Sequence, residues 1–323
     1  MKRREFMAIL GGAAAAGVPL ATHAQQRPHK IPRIGIIDDG QIWEPFRQAL
    51  REIGFVEGQT VAFEYRRADG DPGRLSEAAA GLARLPVDVI MTYGTPASRA
   101  AKAATSTIPI VMVLVGDPVR AGLVQSLARP GGNITGNSII SRDLGPKRLQ
   151  LVKEIIPSAA RVALLWNPDN VSSSVLLEQM REAAPGLGLA FTAVEARSVD
   201  AFAGSFAILA RERPDAVMLT SDPIHHGQLP RIIDFLAQNR LPGMFQTRED
   251  AEAGGLMSYG AVYPELMRQG AFFVQKILQG TKPADIPVQT PQRFELVINL
   301  KTAKAIGLTI AEQVVLRADA VIE

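Results

Sequence analysis

Thr95, Asp117, Asn167 and Asp222 each stand immediately before a proline, and each follows an apolar run, at 87–93, 108–115, 162–166 and 216–219. An oxygen-bearing side chain followed by proline is the pattern of a helix N-cap with proline at the first helical position, where its missing N–H would be unpaired anyway. Such a junction leaves backbone N–H groups and partial positive charge at the helix start, a natural seat for a carboxylate. Capping alone explains all four side chains, since it contributes about 1 kcal/mol with no ligand present. The two roles coexist, because the cap lies beside the N–H groups that could hold a ligand.

Other residues with chemical potential are fewer. Asp38-Asp39, before Gly40, could bind an ammonium group or act as a paired acid and base, or simply form a turn. His225-His226 is a lone histidine pair whose members point apart on a helix, so a solvated first helical turn is expected and a metal site is not. Gly131 to Ser138 mimics a phosphate loop, but Asn137 stands where a lysine must be, so the segment reads as a turn and a crossing strand. No Gly-x-Gly-x-x-Gly follows the first strand and no Gly-x-Ser-x-Gly occurs, which argues against a dinucleotide site and a hydrolase elbow. Tyr259 sits between Ser258 and Gly260, where glycine permits close backbone approach. Neither a catalytic residue, a metal site nor a cofactor is predicted.

These residues must be positioned by alternating strands and helices. Strands are expected at 33–37, 61–65, 87–93 and 108–115, with helices at 43–53, 75–85, 97–104 and 121–128 between and after them. A short crossing strand at 134–140 leads to a second run of the same alternation from 146 to 246, then a glycine-flanked return at 254–260, a helix at 264–278 and a last strand at 294–300. Alternation of this kind predicts an α/β fold of two doubly wound parallel-sheet lobes. Ligands bind at the carboxyl edge of such sheets. Two cap–proline junctions fall in each half, so the lobes are expected to face one cleft.

The chain has 323 residues, 47% of them hydrophobic and 21% charged, and no cysteine. That length implies two domains, and the missing thiol excludes disulfides, thiolate metal sites and cysteine nucleophiles. Net charge is +3, and Lys2, Arg3 and Arg4 against Glu5 account for most of it, so no nucleic-acid partner is expected. Lys2 to Arg4, a Gly/Ala-rich apolar stretch at 8–21 and small residues Thr22 and Ala24 form a secretory leader. It is expected to be cleaved after Ala24, with the product in the periplasm. Arg3-Arg4-Glu5-Phe6 has a twin-arginine flavour, which leaves the export route open between the twin-arginine and general pathways.

Several strings together carry a family resemblance: the leader, Phe46 to Gly58, Gly94-Thr95-Pro96-Ala97, Gly116-Asp117-Pro118-Val119, Ser126 to Gly136 and Phe294 to Ala303. The chain resembles the ABC-transporter substrate-binding proteins of the tryptophan/tyrosine type over essentially its whole mature length. The resemblance implies a type I periplasmic binding fold, with lobes at 31–137 plus 260–285 and 138–259 plus 286–323 joined by hinge crossovers. It implies a monomer that binds a small molecule and serves a membrane permease and an ATPase, both separate subunits. The family's cleft loops map onto Gly94 and Thr95, Asp117, Ser138, Asn167, Asp222 and Tyr259. Thr95, Asp117 and Ser138 would then hold a carboxylate, Asp38 and Asp222 an amine, and Tyr259 would cover an apolar part. The loop at 38–44 is shorter and more acidic than the family pattern, which suits an amine-bearing group. The expected ligand is an amino acid or a related amine or carboxylate. A ligand-sensing subunit for a membrane receptor would use the same cleft, and a secreted α/β enzyme using Asp38, Asp39 or Asp222 is a further alternative.

Overall fold

The structure, a computed structural model, describes residues 31–37, 41–68, 71–140 and 144–323. The expected leader, Asp38 and Asp39 lie outside the described residues. The first lobe is built on strands β1 (Arg33–Ile37), β2 (Ala62–Arg66), β3 (Val89–Tyr93), β4 (Ile110–Val115) and β5 (Ile134–Ser138). Helices α1 (Glu44–Glu52), α2 (Pro72–Ala83) and α3 (Gly94–Ala104) connect them. The strands pair in the order β2-β1-β3-β4-β5, all parallel.

The second lobe begins with α4 (Leu144–Ile155), β6 (Arg161–Trp166), α5 (Val171–Ala183), β7 (Ala190–Glu195) and α6 (Ala201–Glu212). It continues through β8 (Ala216–Leu219), α7 (Pro223–Gly227), α8 (Leu229–Gln238), β9 (Gly243–Phe245), α9 (Arg248–Glu252) and β10 (Met257–Ala261). The long helix α10 (Tyr263–Leu278) follows, then β11 (Phe294–Asn299), α11 (Leu300–Ile306), α12 (Glu312–Val315) and β12 (Ala320–Ile322). Its seven strands run β12-β11-β10-β9-β8-β6-β7, with β10 and β11 the antiparallel pair. Among the described residues no helix is long and apolar enough to cross a membrane.

Strand alternation places a core on each face of each sheet. Ile34 and Ile36 of β1 pack with Trp43, Phe46 and Phe273 on one face, while Ile37 packs with Leu75 and Leu82 on the other. In the second lobe Val162 and Leu164 meet Leu149 and Met180, and Ala163 and Leu165 meet Phe202 and Leu236. Helices covering both faces are why these strands read as continuous apolar runs. Helix α10 leaves the second sheet and packs on the first lobe against α1 and β4. The chain stays there through Gln289, whose backbone bridges Asn137, before returning to β11.

One local expectation fails for a clear reason. Residues 121–128 form turns, not a helix: Gly122 takes φ 70°. The Lys102 ammonium holds the Gly122 and Leu123 carbonyls at 2.6 and 2.8 Å, so they need no helical partner. The strand expected at 134–140 forms as β5, which completes the first sheet beside β4 before the chain enters the second lobe.

Candidate functional site

The ends of β3, β4, β8 and β9 face one another across the two lobes. The end of β4 is re-aimed by a bulge between Met112 and Val115, where Leu114 takes φ 56°. The Asn137 side chain compensates by accepting the Leu114 N–H at 2.9 Å and donating to the Leu266 carbonyl of α10 at 2.7 Å. The result delivers Gly116 and Asp117 to the second lobe. There Gly116 is so close to Ser172 of α5 that a Cβ in its place would lie 3.3 Å from the Ser172 Cα and overlap the serine side chain. Thr95 and Ser172 hydroxyls bond across the gap at 2.6 Å, and Tyr263 Oη meets Ser221 Oγ at 2.7 Å. At the rim Arg120 and Glu178 form a two-pronged ion pair, each prong 2.7 Å. The lobes are closed on each other.

Two of the recesses between the lobes share Thr220, Ser221 and Gln246 as a common wall. One holds about 370 Å³ of space, mouth included, and is lined by Tyr93, Asp222, His226, Thr247, Asp250 and Tyr263 among others. The other holds about 500 Å³ and is bordered by Asp117, Ile140, Leu144, Arg148, Ser173 and Leu176 among others.

Among the described residues, charge in the site sits mainly on the second lobe. Asp250 is buried, closes a capping box with Thr247, and its Oδ2 accepts the N–H groups of Gln246 and Thr247 at 3.3 and 3.1 Å. Arg148 is also buried, and its Nε donates to the Tyr259 carbonyl at 2.6 Å. Burial lowers its pKa to about 10, so it remains cationic at neutral pH. Burial likewise raises the Tyr263 phenol to about 12, despite its bond to Ser221, and raises Tyr93 well above the usual phenol range. Both tyrosines act as neutral hydroxyls.

Of the residues singled out from sequence, Asp117 and Asp222 border these two recesses. Asp222 is the cap it was expected to be: its Oδ1 accepts the Ile224 N–H, and its Oδ2 accepts the buried amides of Asn167 and Asn170 at 3.1 and 2.8 Å. The other three junctions deviate. Helix α3 starts at Gly94, with φ 74°, so Thr95 lies inside its first turn and bonds across the cleft instead. Asp117 accepts the Val119 and Arg120 N–H groups in a turn with no helix after it. Asn167 caps a turn through the Asp169 N–H, and Asn170 is the actual N-cap of α5.

Ser138 donates to the Gly116 carbonyl at 2.5 Å and accepts the Ile140 N–H; it borders neither recess. Gly94 and Asn167 do not border them either, and the Tyr259 ring stacks on Phe294 of β11 at 6.3 Å. Asp38 lies outside the described residues. His225 corrects an expectation: it is buried, its Nε2–H donates to the Ala196 carbonyl at 3.0 Å, and its ring meets Phe202 edge-on. His226 is the exposed member of the pair.

Sequence reasoning missed Arg148, Gln246, Asp250 and Tyr263. Arg148 had a readable signal, because it falls on the helical stripe of Leu144, Leu151, Val152 and Ile155, all buried. An arginine in an apolar stripe is a buried charge in need of a partner. Among the described residues no cluster of three or more metal-ligating side chains occurs.

The family model for ABC transporter substrate binding proteins matches residues 40–322. A relative in Clostridioides difficile (strain R20291), described as a tyrosine-binding protein, is 27% identical over 81% of this chain and 75% of its own. A Streptococcus pneumoniae protein solved in complex with L-Trp superposes with a TM-score of 0.84 at 25% identity, covering 90% of this chain and 99% of that one. A ligand-free, open substrate-binding protein with adhesive properties from Clostridium difficile reaches only 0.64 at the same 25% identity, over 91% and 99% of the two chains. The lobes of the present chain therefore stand in the arrangement of the ligand-bound relative. With a match across nearly all of its described length, the chain belongs to the ABC transporter substrate-binding protein family and carries the type I periplasmic binding fold.

Proposed function

We propose that this protein is the exported solute-capturing component of an ABC importer, taking an amino acid or a related amine or carboxylate from the periplasm. Its leader at residues 1–24 supports export. A separate permease and ATPase would receive the solute and drive its transport. The observation that carries the reading is the closed cleft: lobes that touch through Gly116 and Ser172 while leaving buried polar recesses between them. Capture by hinge closure needs that geometry, and turnover does not. Asp222, one of the three acidic residues named for the enzyme alternative, is committed to holding the α7 start and two asparagine amides. Relatives that bind L-Trp, or are named for tyrosine, favour an amino acid as the ligand class.

The test is calorimetric titration of the mature protein with the common L-amino acids, alongside native mass spectrometry of whatever copurifies. A saturable one-to-one complex is expected. Absence of any bound small molecule in both measurements would remove this function.

A further inference from the structure

Resting on the reading of the cleft as a solute site, we propose that Arg148 anchors the ligand's carboxylate, and that the larger recess accepts a carboxylate with an apolar substituent. Four observations converge there. Arg148 is 3% exposed, and a charge removed from water is costly unless it is paired and fully hydrogen-bonded. Its Nε has the Tyr259 carbonyl, yet among the described residues no carboxylate lies within 4.0 Å of it and its terminal nitrogens have no hydrogen-bond partner.

Two described carboxylates that border the recesses are committed elsewhere. Asp117 Oδ1 takes the N–H groups of Val119 and Arg120, and Asp250 Oδ2 takes those of Gln246 and Thr247. The third observation is Ser173, 1% exposed, whose Oγ has no partner although it borders the same recess. The fourth is one part of the lining, where Ile140, Leu144 and Leu176 are apolar, while Asp117, Thr220 and Gln246 keep other parts polar. A planar guanidinium with two free nitrogens matches a carboxylate in a two-pronged pair, a nearby hydroxyl adds a donor, and the aliphatic wall takes the substituent. The ligand's carboxylate thus supplies a contact counter-ion that none of the described residues provides, Asp250 acting on the guanidinium only from beyond pairing distance. This replaces the sequence-based assignment of that role to Thr95, Asp117 and Ser138: the two hydroxyls are spent on Ser172 and on the Gly116 carbonyl, and Asp117 on the Val119 and Arg120 N–H groups.

Binding of the L-amino acids, indole-3-propionate and 3-phenylpropionate would be measured by calorimetry on wild type, Arg148→Met, Arg148→Lys and Ser173→Ala. The tightest carboxylate would be compared with its own primary amide. Arg148→Met is expected to weaken binding by about 30-fold or more, Ser173→Ala by about fivefold, and the amide should fall as far below the acid as Arg148→Met does. Arg148→Lys should retain part of the affinity, since it keeps the charge and loses the fork. Equal affinity for acid and amide on the wild type would overturn the anchor, as would Arg148→Met binding within about twofold of wild type. If Arg148→Met fails to fold, the acid–amide pair and Arg148→Lys still decide. If no carboxylate binds and native mass spectrometry finds a neutral or cationic solute, the anchor falls while capture stands; a copurified carboxylate supports both, and a protein that is empty and also binds nothing in the titration removes both.

Discussion

The two walls of the cleft are made by similar lobes but work differently. The first lobe presents strand ends that are mostly backbone and neutral rings: Gly116 at the bulged end of β4, the Asp117 turn and Tyr93. The second presents buried charge held in place by dedicated partners: Arg148 on the Tyr259 carbonyl, Asp250 in its capping box, and Asp222 on two asparagine amides. A wall with preset polar groups recognises, because its partners have already fixed their geometry before a ligand arrives. A wall of glycine and turn closes, because it can approach without bringing side chains that need satisfaction. The difference assigns recognition to the second lobe and closure to the first.

The strongest test of that division is Gly116→Val. The added side chain would collide with Ser172 only when the lobes meet, and Gly116 does not need a left-handed backbone. The ligand-free variant should therefore melt like wild type, while binding of the best amino-acid ligand falls by about a hundredfold. Small-angle scattering should show no compaction on adding ligand. Normal compaction with unchanged affinity would show that closure does not need this approach.

Next in size is the contrast between Asp222→Ala and Asp117→Ala, two residues that look alike in sequence. Losing Asp222 removes a helix cap and strands two buried amide donors, which should cost about 2–4 kcal/mol in denaturant unfolding. Losing Asp117 frees two N–H groups in a half-buried turn and should cost about 1 kcal/mol or less. Equal costs would dissolve the asymmetry between the walls.

That contrast also shows what could be read in advance. The strand–helix alternation was legible because burial on both sheet faces writes itself as apolar runs, and the strands at 33–37 and 216–219 fall where they were expected. The cap–proline pattern located the cleft edge but named the true cap correctly only at Asp222. At Thr95 the partner is Ser172 across the cleft; Asp117 keeps local N–H partners, but Lys102 of α3 holds the carbonyls of the turn after it, so no helix follows, and such long-range contacts leave no local trace. Arg148 was legible in principle from its place in an apolar stripe. Tyr263 was not, because its role depends on α10 crossing back to the first lobe and putting the phenol against Ser221. Tyr259 illustrates the converse: its flanking residues invite a ligand, while its ring belongs to the β10–β11 packing.

Acidification should act through the second lobe. Burial depresses the His225 pKa below its ordinary 6.5, against the opposing pull of Asp222 and its bonds to Ala196 and Thr220. The unfolded chain then binds more protons than the folded one as pH falls, so this contribution is complete above about pH 6.5 and is lost progressively below it. The thermal midpoint of wild type should drop between about pH 8 and pH 5.5 by more than that of His225→Gln. Parallel losses in the two proteins would place the acid sensitivity outside this histidine.

The smallest effect is expected at the rim, where Arg120 of the first lobe and Glu178 of the second form their ion pair with side chains 46% and 53% exposed. Arg120 holds the Glu178 carboxyl below its usual range, and Glu178 raises the guanidinium in turn. Both groups stand in water, so the attraction is largely offset by the ordering of two long side chains. The pair spans the lobes and favours only the closed form. Arg120→Ala should weaken ligand binding by less than about fivefold in low salt, and by nothing measurable near about 1 M salt, where screening acts within about 3 Å. A loss approaching that of Gly116→Val would mean that the first lobe closes by charge as well as by shape, and the division between a recognising wall and a closing wall would have to be redrawn around this pair.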